Sequence, residues 1–177
     1  NLQVIRPADA NETSFAWQAA LEYNGPTALI LSRQALPVYD RTKYAPADGV
    51  LNGGYIMKDS STEPRVILIA TGSEIELAVN AADALEKENI PARVVNMAST
   101  EIFEKQSKEY KNSVLPPHIT NRVSIEAGVK QGWGEYTGSN GVCISIDKFG
   151  ASAPDKILFE KYGFTVENVV QTAKSLI

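Results

Sequence analysis

Val66-Ile67-Leu68-Ile69-Ala70-Thr71-Gly72-Ser73-Glu74-Ile75-Glu76-Leu77-Ala78 is the stretch that decides the fold. Its first residues form an unbroken apolar run, as expected of a strand covered on both faces. Thr71-Gly72-Ser73 then turns the chain, and Ser73 with Glu76 has the spacing of a capping box that opens a helix. Ile75, Ala78, Ala82 and Leu85 recur at helical period along one face, which predicts an inner surface.

Downstream the alternation continues. Ala92–Met97 reads as the next strand, and Ser99 to about Asn112 as a more polar helix. Arg122–Glu126 and Val142–Ile146 supply two further strands, separated by a loop with glycines at 128, 132, 134, 138 and 141. Pro154–Tyr162 reads as a helix ended by Gly163. Thr165 caps a last one with Val166, Val169, Val170, Ala173 and Leu176 inside. The pattern predicts a three-layer α/β/α domain with a mostly parallel, roughly five-stranded sheet.

Upstream the character changes. Ala35–Pro64 carries prolines at 37, 46 and 64, glycines at 49, 53 and 54, and little periodicity. It reads as an interdomain linker with a short strand at Gly54–Lys58. Before it, Leu2–Ile5 is a short strand closed by Arg6-Pro7; Asp9 or Asn11 can cap the helix that follows, and Asp9 with Glu12 has capping-box spacing. Phe15, Ala16, Ala19, Ala20 and Tyr23 mark a helical stripe, stopped by Asn24-Gly25-Pro26. Thr27–Leu31 is again apolar and is expected to be covered on both faces. Two strands cannot bury two faces. With the abrupt start at Asn1, this suggests a partial βαβ unit at the tail of a larger domain. The expected division is 1–34 for that tail, 35–64 for the linker and 65–177 for the second domain.

Composition narrows the function. The 177 residues are 44% hydrophobic and 21% charged, with a formal net charge of -4. No basic stripe offsets that charge, which argues against a nucleic-acid partner. No apolar stretch approaches the roughly 20 residues that span a bilayer, and no signal-peptide pattern opens the chain. The sequon Asn11-Glu12-Thr13 therefore has no glycan role. Cys143 is the one cysteine, so an intrachain disulfide cannot form, in keeping with a reducing cytoplasm. Its setting, Val-Cys-Ile-Ser-Ile, predicts a buried inert thiol.

Several residues could carry chemistry. Arg33 follows the strand Thr27–Leu31 at its carboxyl end, where open parallel sheets place their ligand crevice. A guanidinium there can grip a phosphate through two parallel N–H donors, or it can dock the linker. Thr71-Gly72-Ser73-Glu74 joins a strand to a helix N-terminus as phosphate cradles do. It lacks the spaced glycines or lysine of a nucleotide motif, and Glu74 would repel an anion, so a capped helix start is the better reading. His118 is the only histidine, which rules out a histidine metal cluster built from this chain; it is read as exposed and structural. Glu126, between a strand and glycine, is a functional carboxylate or an interdomain contact. Trp133 and Tyr136 are interface anchors or core.

Arg6–Thr13 (RPAD, then NET), Gly25–Gln34 (GPTALILSRQ), Ala70–Ala78 (ATGSEIELA), Ser124–Gly128 with Trp133, and Phe149–Thr165 (FGASAPDKILFEKYGFT) stand in order along the chain. Together they resemble transketolase. The resemblance implies the end of a pyrimidine-binding domain, a linker and a complete C-terminal domain. It implies transfer of a two-carbon ketol unit from a ketose phosphate to an aldose phosphate by a cytoplasmic homodimer, with thiamine diphosphate and Mg2+ or Ca2+ as cofactors. In that family the arginine matched by Arg33 binds the phosphate of the sugar. The family's metal and diphosphate ligands, its activating glutamate and its histidines match nothing in this sequence. The chain alone is therefore expected to bind no cofactor and to have no catalytic residue.

Other thiamine-diphosphate enzymes, such as deoxyxylulose-phosphate synthase or the beta chain of a 2-oxo acid dehydrogenase, share the C-terminal fold. Their motifs differ from LILSRQ and FGASAP. A free-standing interaction module would leave the sheet of residues 1–34 with exposed apolar faces.

Overall fold

A computed structural model describes residues 1–177. Two parallel strands, β1 (Gln3–Ile5) and β2 (Thr27–Leu29), flank helix α1 (Ala10–Glu22). Asp9 caps α1, accepting from the Glu12 N–H at 2.8 Å. The reciprocal arm of the expected capping box lands one residue early, with the Glu12 carboxylate accepting from the Ala8 N–H at 2.8 Å. β2 is shorter than the apolar run predicts and only half-buried; Ile30 and Leu31 beyond it are exposed. The small sheet has just two strands, so the double cover expected for Thr27–Leu31 is not present in this chain.

The segment Ala35–Pro64 contributes a 310 helix (Ala47–Asn52) and strand β3 (Gly54–Lys58). β3 is the antiparallel edge of a five-stranded sheet. The remaining strands, β4 (Val66–Ala70), β5 (Ala92–Met97), β6 (Arg122–Ile125) and β7 (Val142–Ile144), run parallel in the order β3-β5-β4-β6-β7. Helices α2 (Glu74–Lys87), α3 (Thr100–Phe103), α4 (Lys108–Val114), α5 (Gly134–Thr137), α6 (Asp155–Lys161) and α7 (Val166–Lys174) complete the architecture. No helix is long and apolar enough to cross a membrane.

The alternation of side chains along β4 divides the core. Val66, Leu68 and Ala70 join one cluster with Ile75, Ala78 and Leu85 of α2 and Val169 and Ala173 of α7. Ile67 and Ile69 enter the opposite cluster with Phe103, Val114, Trp133 and Tyr136. β4 and β5 are buried throughout, so the mostly parallel three-layer sheet expected from sequence is the one found. The first cluster also takes in Ile5, Ala8, Ala16, Tyr39, Val50 and Tyr55, so the β1–α1–β2 unit shares a core with the larger sheet.

Three local expectations need correction. Ser73 does not cap α2: its backbone is already helical (φ -62, ψ -25) and its hydroxyl bonds the Glu74 carboxylate at 2.7 Å. Gly72, at φ +57, takes the turn instead. The helix expected over Ser99 to Asn112 is two helices, because Ser107 adopts an extended backbone and caps α4 from its side chain at 3.2 Å. Cys143 is only half-buried, with Sγ 3.9 Å from the Thr137 hydroxyl.

Candidate functional site

β1 and β2 end side by side, and the Ile30 N–H donates to the Ile5 carbonyl at 2.9 Å. Past that bond the chain bends outward through Ser32, Arg33 and Gln34, and Arg33 is exposed. Unlike Arg6, Arg41 and Arg93, it enters no ion pair. A neighbouring 220 Å³ cavity is lined by Gln34, Ser73, Glu76, Asp155 and Lys156, among others, and does not include Arg33.

Two polar nodes hold this strand end to the sheet. The first lies beneath α1. The Glu12 side chain is fully buried and accepts from the Tyr55 hydroxyl at 2.5 Å and from the Asn96 amide at 2.9 Å on each oxygen. Arg41 donates to Asp9 at 2.8 Å and reaches Glu12 at 3.4 Å. Asp9 also accepts from the Tyr39 N–H at 3.0 Å, which ties down the segment that follows Arg33. Burial pushes the Glu12 carboxyl above its ordinary range, against the hydrogen bonds from Tyr55 and Ala8 that pull it down. The Tyr55 hydroxyl is pushed up as well, first by burial and then by the charge of Glu12.

The second node is Arg6. Its guanidinium pairs with Glu74 at 3.2 Å and, at very short range, with Glu126. The Trp133 indole N–H donates to the other oxygen of Glu126. Glu126 thus makes an inter-element contact, one of the two roles its sequence position allows. Trp133 and Tyr136 belong to the core cluster, with rings 6.0 Å apart. Glu74 is buried. Desolvation raises its carboxyl, and the charge of Arg6 partly offsets that rise. The Thr71–Glu74 turn therefore faces a resident guanidinium and presents no free helix end to an anion.

His118 is exposed and meets Glu63 at 2.8 Å on the surface. No group of three or more His, Cys, Asp or Glu side chains could hold a metal ion. The donors present therefore do not fit a metal–diphosphate centre, and no chemical step is assigned through one. Sequence reasoning anticipated the Asp9–Glu12 pairing locally but missed Arg41, Tyr55 and Asn96. Arg41 and Tyr55 fall in the aperiodic segment and Asn96 inside a strand, where nothing local marks a buried carboxylate as their partner.

The family model for the transketolase pyrimidine binding domain matches residues 1–38, and that for the transketolase-like TK C-terminal domain matches residues 53–165. The transketolase of Aquifex aeolicus is 54% identical over 170 residues, which are 96% of this chain and 25% of that protein. Among solved structures, transketolase from Leishmania mexicana superimposes with a TM-score of 0.89 at 42% identity, covering 99% of this chain and 25% of the other. Transketolase from Pichia stipitis in complex with sedoheptulose-7-phosphate gives 0.89 at 37% identity, over 99% and 25% of the two chains. The chain thus spans about a quarter of the length of the relatives it matches.

Proposed function

The chain belongs to the transketolase family, and from that premise we propose that it forms part of an enzyme moving a two-carbon ketol unit from a ketose phosphate to an aldose phosphate. Within it, Arg33 holds the phosphate of the sugar. The observation that carries this reading is an exposed guanidinium, outside every ion pair of the chain, just past the carboxyl end of β2 within GPTALILSRQ. An arginine in that position offers two parallel N–H donors to a phosphate, adding direction to charge.

The same reading divides the chain into the end of the pyrimidine-binding domain (1–34), a linker (35–64) whose strand β3 is taken up as an edge of the following sheet, and the C-terminal domain (65–177). Thiamine diphosphate and its divalent metal, Mg2+ or Ca2+, are then held by residues outside these 177. The isolated chain contributes a substrate contact and a scaffold but no turnover. A cytoplasmic homodimer is the assembly that goes with this function.

Replacement of Arg33 in the full-length enzyme tests the role. Arg33→Ala raises KM for phosphorylated sugars by about 30- to 100-fold, the loss expected of a bidentate charged contact, and leaves KM for unphosphorylated sugars near wild type. An equal rise for both sugar classes would remove Arg33 from the phosphate site.

A further inference from the structure

The strand order places β4 beside both β5 and β6, and the chain leaves β4 through α2 on one face and comes to β6 through α4 on the other. The carboxyl ends of β4 and β6 therefore flank the switch point of this sheet, where doubly wound folds bind their ligands. In this chain one side chain enters that position from outside the sheet. Arg6 comes from the end of β1, outside the five-stranded sheet, and touches the loops after β4, β5 and β6 together.

Its N–H donates to the Ala98 carbonyl at 2.8 Å, and its own carbonyl faces the Thr71 hydroxyl at 3.5 Å. The guanidinium spans from Glu74, after β4, to Glu126, after β6. Gly72 lies along the arginine stem, where a Cβ would stand 3.6 Å from Nε. Trp133 fixes the far oxygen of Glu126. Next to the guanidinium lies a cavity of 330 Å³, lined by Arg6, Glu101, Glu126, Trp133 and Glu135 among others. Two carboxylates set to receive a fork of N–H donors, with a glycine flanking the stem, form a complementary seat for a planar cation.

We propose that this crevice is a guanidinium-binding socket whose ligand is Arg6 of the same chain. The position that related sheets use for a diffusible molecule is used here to seat the β1–α1 turn. Glu74, which reads in sequence as an obstacle to anion binding, is one jaw of the socket, and Glu126 is the other. The socket stands independently of any role for Arg33.

The test removes the resident guanidinium and offers a diffusible one. In the full-length protein, Arg6→Ala lowers the thermal midpoint by several degrees. Millimolar methylguanidinium then restores at least half of that loss along a saturable curve. Wild type gains nothing under the same conditions, and the variant gains nothing from methylammonium or NaCl at matched ionic strength. A recovery no larger with methylguanidinium than with methylammonium overturns the socket, as does an Arg6→Ala melt identical to wild type. Should Arg6→Ala give no folded protein, Arg6→Lys and Glu126→Gln carry the test as a double-mutant cycle. Their combined loss falls short of the sum of the single losses, and simple additivity overturns the proposal.

Discussion

Asn96 reaches across 84 positions of sequence to donate its amide to both carboxylate oxygens of Glu12, at 2.9 Å each. The partners sit on different sheets' elements, α1 and β5, so the contact is a tie between the two units of the chain. Tyr55 and Ala8 supply the remaining short donors to the same carboxylate.

Removing that carboxylate strands several donors at once. Glu12→Ala lowers stability by about 3–5 kcal/mol, the range for breaking a buried charged network, whereas Glu12→Gln lowers it by about 1–2 kcal/mol. Urea unfolding midpoints measure both, and a loss below about 1 kcal/mol for Glu12→Ala would contradict the network's weight.

The same group sets a pH dependence. The folded-state pKa of Glu12 is raised above 4.5 by burial, so between these two values the folded chain holds more protons than the unfolded one. Stability is then fully present below the unfolded pKa and falls as pH rises through the folded pKa. Glu74 shifts in the same direction. Unfolding free energy followed from pH 4.5 upward should decline less in Glu12→Gln than in wild type. Parallel curves would mean that Glu12 does not titrate in that window.

Two glycines with positive φ should respond differently to alanine. Gly53, at φ +80, presses against the Ser99 carbonyl and the Phe103 N–H, and a Cβ would collide with both. Gly72, at φ +57, has room for one. Gly72→Ala then costs about 1 kcal/mol, the backbone penalty alone. Gly53→Ala costs at least about 2–3 kcal/mol and shifts the thermal midpoint further. Equal midpoints for the two variants would contradict the close approach at Gly53.

Arg93 links β5 to the end of β3 and to α4. Its guanidinium binds both oxygens of Asp59 at 2.9 Å and the carbonyls of Ser113 and Val114 at 2.9 and 3.1 Å. A lysine keeps the charge but cannot fill four acceptors, two on Asp59 and two on α4. Arg93→Lys should therefore lose about 1–2 kcal/mol in denaturant unfolding, although the substitution is conservative in charge.

Much of the sheet was legible because its central strands advertise themselves. Val66–Ala70 and Ala92–Met97 are apolar nearly throughout, and burial on both faces permits little else. The break at Ser107 was hidden, since a serine three residues before an N–H that it can accept from reads equally as a solvated helix surface. The role proposed for Arg33 rests on its place after an apolar strand, a local signal. The Arg6 socket could not, because Glu74 and Glu126 look like an ordinary first-turn acid and a strand-end acid until the fold brings them together. Their partner lies 68 and 120 positions away.

Those separations also order events in time. Arg6 leaves the ribosome 120 residues before Glu126 does. At roughly 5–20 residues per second, that is an interval of about 6–24 s in which β1 and α1 exist without the carboxylate that completes their seat. Through that interval Glu74, translated only 68 residues after Arg6, is the one jaw available to hold the guanidinium.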